Sequence, residues 1–145
     1  MPKQDPLARA RRDKREGKAP STQAGEFVRE EMDHIREGKH GARSTKQAIA
    51  IGLSKARRAG VKLGPPKSGS AETKKQAARD TAKGAGKSAK KPSVKRSRAS
   101  TNALKREGSS AASHLALSRQ ARSAAAKRKS AAARRKTASG DSPAA

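Results

Sequence analysis

The chain carries 37 Lys and Arg against 12 Asp and Glu in 145 residues, a formal charge of +25, which is far more than solubility asks of a small domain and calls for a polyanionic partner. It has no cysteine and a single aromatic, Phe27, which excludes disulfide frameworks, thiolate metal sites and the aromatic stacking platforms of single-strand binders. Only 31% of residues are nominally hydrophobic, most of them alanine, and low hydrophobicity with high charge is the pattern of chains whose burial cannot offset ordering entropy.

The composition therefore predicts a mostly disordered chain with one small all-α core, a helical hairpin at about 24–63. Residues 1–20 hold seven basic and three acidic residues without apolar periodicity, and are expected to be a disordered basic arm. No apolar run in this stretch could serve as a signal core, and no segment approaches a membrane span. A soluble, intracellular protein is expected.

Residues 21–64 contain nearly all the large apolar side chains. Ser21 or Thr22 can cap a helix over about Ala24–Glu37, with Glu26 and Glu30 near its positive end. Val28, Met32 and Ile35 share one face of it, with Phe27 beside them. Gly38 and Gly41 supply a stop and a turn. Ser44 and Gln47 then have the spacing of a capping box, opening a second helix that ends at Gly60. Ile49, Gly52, Leu53 and Ala56 form its stripe, the small Gly52 and Ala56 allowing the first helix to approach closely. Val61 is placed for the contact that accompanies a glycine stop. Ile51 points away from this stripe, towards the side of Arg58; an ordinary singly exposed residue is the first reading of it, and self-association or a protein partner the second.

Residues 65–102 open on Gly-Pro-Pro and read as a disordered basic linker. Residues 103–145 are an Ala/Lys/Arg-rich tail, with a fraying helix possible at about 103–136 because these residues favour helix. Together residues 65–145 hold 21 basic and four acidic residues, a net of +17.

Clusters of Lys and Arg recur along the chain, and their number makes phosphate binding the leading expectation. The candidate phosphate contacts are Arg57, Arg58, Lys95, Arg96, Arg98, Lys127, Arg128, Arg134 and Arg135. With no zinc finger, recognition helix or RNP sequence in view, sequence-independent binding of duplex DNA is expected, in a histone-like, nucleoid-associated role. RNA or ribosome association is the alternative, and a partner-binding adaptor localised by its basic tail is another. No enzyme activity and no cofactor are expected. His34, His40 and His114, with Asp33 or Glu37, match no metal-ligand spacing, so no metal site is expected either. Gly84 to Ser88 lacks the first glycine of a phosphate loop, since Thr81 stands there. Ser97, Ser100, Ser130, Thr137 and Ser139 sit beside basic residues, where phosphorylation would subtract charge. Lys90 to Arg96 has the form of a nuclear-import signal, a match that so basic a chain makes almost unavoidable.

The run STKQAIAIGLSKARRAGVK, Ser44 to Lys62, with EFVREEMDHIREGKHGA before it, resembles a family of short basic bacterial proteins of uncharacterised function. The pattern is K-Q-A-I-A-I-x-L-S-x-A-R-x-A-G, with Gly52 where alanine is common. The resemblance implies a bacterial origin and no catalytic residue; taken with the expected DNA binding, a cytoplasmic protein at the nucleoid is expected. The tail is similar in composition to the Lys/Ala-rich tails of bacterial histone H1-like proteins.

Overall fold

A computed structural model describes residues 4–86, 91 and 93–140. The described residues form six α-helices and one 3-10 turn, with no strand among them. The helices are α1 (Pro6–Arg15), α2 (Pro20–Arg36), α3 (Thr45–Arg58), α4 (Ala71–Gly84), α5 (Val94–Lys105) and α6 (His114–Gly140); the 3-10 turn is Ser110–Ala112. The expected hairpin is present as α2 and α3. The expected disorder is not: α1 lies in the N-terminal arm, α4 and most of α5 in the supposed linker, and α6 runs through residues expected to fray.

Alanine is the physical reason for the difference. Weighing only the large side chains leaves too little burial to order the chain, but Ala24, Ala48, Ala56 and Ala112 are fully buried and Ala10, Ala42, Ala77 and Ala111 nearly so. An alanine loses no rotamer freedom on burial and has the highest helix propensity, so each ordered residue costs less than an average one. Two apolar clusters result. One joins Met32, Ile35, Ala42, Ala48, Ala111 and Ala112, with Val28, Ile49 and Leu117 against it. The other joins Ala10, Ala24, Phe27, Ala56 and Val61, with Leu7, Leu53 and Leu63.

Packing follows chain order: α1 lies on α2, α2 on α3, and α3 on α4. The α2–α3 approach is close enough that a Cβ at Gly52 would stand 2.6 Å from the Val28 Cα, so only glycine fits there. Ile51 is half-buried rather than open. Ser44 does cap α3, accepting the Gln47 N–H at 3.2 Å, while the Gln47 side chain accepts the Arg43 N–H, one residue earlier than the capping box requires. At the start of α2 neither expected hydroxyl caps; Ala19 takes the position and Pro20 opens the helix.

The helix ends share one device. In α1, α2 and α3 the N–H two residues past the cap returns to the carbonyl of the last turn: Lys18 to Asp13, Lys39 to His34 and Val61 to Ala56. The four residues Arg15-Glu16-Gly17-Lys18 recur as Arg36-Glu37-Gly38-Lys39. This repeat is the sequence signal by which α1 could have been found.

The 3-10 turn docks the C-terminal part onto the hairpin. Thr45 donates its hydroxyl to the Ala111 carbonyl at 2.7 Å, and Arg36 Nε donates to the Ala112 carbonyl at 3.0 Å. Beyond this anchor α6 has no buried residue, and neither has α5. Their helicity rests on local propensity and, for α6, on the Ser113 hydroxyl accepting the Ala116 N–H.

Candidate functional site

Of the nine candidate phosphate contacts, the structure divides two from seven. Arg57 is buried at 8% exposure, its Nη2 donating to the Gly64 carbonyl at 2.9 Å, so it ties the end of α3 to the chain that follows. Arg58 reaches across to α4, where its Nε lies 2.9 Å from an Asp80 oxygen. The same carboxylate accepts the Ser54 hydroxyl at 2.7 Å and Gln76 at 3.1 Å. Burial pushes the Asp80 carboxyl up, but these hydrogen bonds and the Arg58 charge outweigh it and hold the group below the ordinary carboxylate value. Both arginines are thus engaged in holding α3 and α4 in place.

The other seven are exposed: Lys95, Arg96 and Arg98 on α5, and Lys127, Arg128, Arg134 and Arg135 on α6. None pairs with a carboxylate among the described residues. The α6 segment contains eight Lys and Arg and no Asp or Glu over its 27 residues. Lys127, Arg128 and Lys129 are repeated seven residues later by Arg134, Arg135 and Lys136. At about 100° per residue the two triplets cover about 220° of the helix, in pairs that align roughly 10 Å apart along it, and Arg119, earlier on α6, falls in the remaining sector. No apolar or acidic face interrupts them. Lys129 and Lys136 complete these rows, and the seven-residue repeat was visible in the sequence.

Acid is concentrated elsewhere. Glu26, Glu30, Glu31 and Asp33 all lie on α2, where Glu26 pairs with Arg9 of α1 at 2.5 Å. Glu31 is fully buried, takes the Lys55 ammonium from α3, and faces His40 at 3.1 Å and His34 at 4.0 Å. His34 and His40, far apart on a helical count, are brought together by the turn at Gly38, whereas His114 stands apart at the start of α6. Of the two acids weighed as their partners, Asp33 and Glu37, neither belongs to this trio; Glu31 takes the place.

Lys87, Ser88, Lys90 and Pro92, parts of the phosphate-loop and import-signal patterns, lie outside the described residues. Among the described residues no helix is long and apolar enough to cross a membrane. Residues 19–68 match a family described as a family of unknown function (DUF6496). That stretch contains α2, α3 and the turn after them, and it ends before α4, so the likeness does not reach the cationic helices. No curated protein and no solved structure matches the chain.

Proposed function

We propose that this chain binds nucleic acid, duplex DNA in the first place, through phosphate contacts that do not read sequence. The observation that carries the proposal is α6, a helix about 40 Å long that is charged on all sides, free of acid and without a fully buried residue. A helix that touches the core only near its start, through Leu117, and carries eight cations without a carboxylate partner among the described residues gains its free energy by replacing condensed counterions on a polyanion. The α5 residues Lys95, Arg96 and Arg98 add three more exposed cations. The α1–α4 unit holds these arms, and Arg57 and Arg58 belong to it. Such a protein acts as a structural, histone-like component of the nucleoid rather than as a catalyst.

The test is the salt dependence of binding to duplex DNA. The logarithm of the affinity is expected to fall linearly with log salt, by about 0.9 per phosphate contacted, with little change on scrambling the DNA. Removing residues 119–145 is expected to reduce that slope by several units, because all eight α6 cations go with it. A structured RNA measured in parallel distinguishes duplex DNA from RNA as the preferred polyanion. A shallow slope with more than about 100-fold preference for one sequence would refute the phosphate mechanism.

A further inference from the structure

Glu31, His34 and His40 converge where the end of α2 meets the turn that leads to α3. Nδ1 of His40 lies 3.0 Å from the Gly41 carbonyl oxygen, a contact only an N–H can make, so Nδ1 carries a proton. The neutral ring then presents a bare lone pair on Nε2. Oε2 of Glu31 stands 3.1 Å from it, on a fully buried side chain, and has no hydrogen-bond donor of its own. Two acceptors do not face each other at that distance in an interior unless a cation lies between them. His34 adds a third donor atom. Its Nδ1 lies 4.0 Å from the other oxygen of the same carboxylate, and its ring crosses that of His40 at 80°, with centroids 5.9 Å apart.

We propose that these three residues bind a divalent transition-metal ion of the Zn²⁺ class. One ligand atom from each lies within 4.8 Å of the others, against roughly 3.3 Å for ligands on a tetrahedral ion with bonds of about 2.0–2.1 Å, so side-chain adjustment alone closes the site. Imidazole nitrogen selects such an ion over Mg²⁺ or Ca²⁺, which take oxygen cages. The hydrogen bond from His40 Nδ1 to a backbone carbonyl is the outer contact that metal-bound histidines carry, fixing the tautomer and the ring. Lys55 occupies Oε1 from a half-exposed, flexible stem, which leaves Oε2 as the ligand atom. His34 keeps about a quarter of its side chain exposed and marks the entry path.

The ion would act on the docking of the C-terminal part. The residue after His40 is Gly41, whose N–H donates to the Leu104 carbonyl at 2.8 Å, and the Ala42 N–H donates to the Gly108 carbonyl at 3.1 Å. A Cβ at Gly41 would stand 2.0 Å from the Glu107 carbonyl oxygen, so the two segments touch backbone to backbone. Fixing His40 fixes the turn on which the chain leading to α6 is seated.

Chelator-stripped full-length protein titrated with Zn²⁺ alone tests this, read by NMR of the three histidine side chains and of backbone amide exchange. The expected result is saturation at one equivalent, with His34 and His40 shifting together, His114 unmoved, and slower exchange at Gly41 and Ala42. His34→Gln and His40→Gln are each expected to weaken binding by about 100-fold or more, and His114→Gln to leave it unchanged. The His34 change, on a partly exposed side chain, keeps the test valid if His40→Gln disturbs folding. Zn²⁺ that leaves the His34 and His40 signals in place, or that binds both variants as tightly as the parent chain, overturns the proposal and leaves a proton as the cation between His40 and Glu31.

Discussion

Asp80 gathers three donors on one nearly fully buried carboxylate, from Ser54 and Arg58 of α3 and Gln76 of α4. Because its native titration lies below that of an unfolded carboxylate, its contribution is fully present above the ordinary carboxylate range and is lost as pH falls through the lowered native value. Asp80→Ala is expected to destabilise the protein by about 1–3 kcal/mol near neutral pH, since the partners lose a charged acceptor. Denaturant unfolding of both proteins down an acid series should show the difference narrowing below about pH 4. Arg57→Ala is expected to lower the unfolding midpoint by a comparable amount while leaving the salt slope of DNA binding unchanged, since the side chain is turned inwards. A slope smaller by about 1 would instead count Arg57 among the phosphate contacts. That Arg57 turns inwards to the Gly64 carbonyl and that Arg58 is tied to Asp80 could not be read from their place in a basic cluster, because one acceptor is a backbone carbonyl and the other lies on a segment expected to be disordered. The histidines show the same blind spot, as helical spacing rules see pairs on one helix and not pairs joined across a glycine turn.

At the scale of elements, the hairpin was legible because its large apolar residues repeat at helical spacing and its stops are glycines. Of the remaining helices only α6 was anticipated, as a fraying helix at about 103–136; α1, α4 and most of α5 fell in segments expected to be disordered, since alanine marks both a close-packed core and low-complexity sequence. Gly52 was the exception, readable as a point of close approach before any contact was known. Gly52→Ala adds up to about 1 kcal/mol of helix propensity, yet the new Cβ would sit 2.6 Å from the Val28 Cα, which can yield only by moving α2. A net loss of roughly 1–3 kcal/mol is expected, read as a lower thermal midpoint. For α6 the expectation is the reverse. Removing residues 119–145 should cost helical ellipticity in circular dichroism without lowering the unfolding midpoint of what remains, because no residue of that helix is buried. A drop in that midpoint would show that residues 119–140 also pack on the hairpin.

Across the whole molecule, charge and packing are sorted along the chain. Glu26, Glu31 and Asp80 sit where helices meet, as partners to Arg9, Lys55 and Arg58, while α5 and α6 keep cations with no carboxylate partner among the described residues. The net charge announced a polyanion partner; which cations are free to meet it depends on which carboxylates are already engaged, and that is a tertiary property. The even distribution of charge around α6 has a further consequence, one of valence. A cationic stripe on one face of a helix serves one polyanion and turns its back on the next, whereas a rod charged on every side can be gripped by two duplexes at once. Such a protein cross-links. Mixed with long duplex DNA at low salt, it is expected to raise light scattering steeply as the charges approach balance, and to clear again when protein is in excess and each duplex is coated separately. Chains cut at residue 118 are expected to bind without this turbidity.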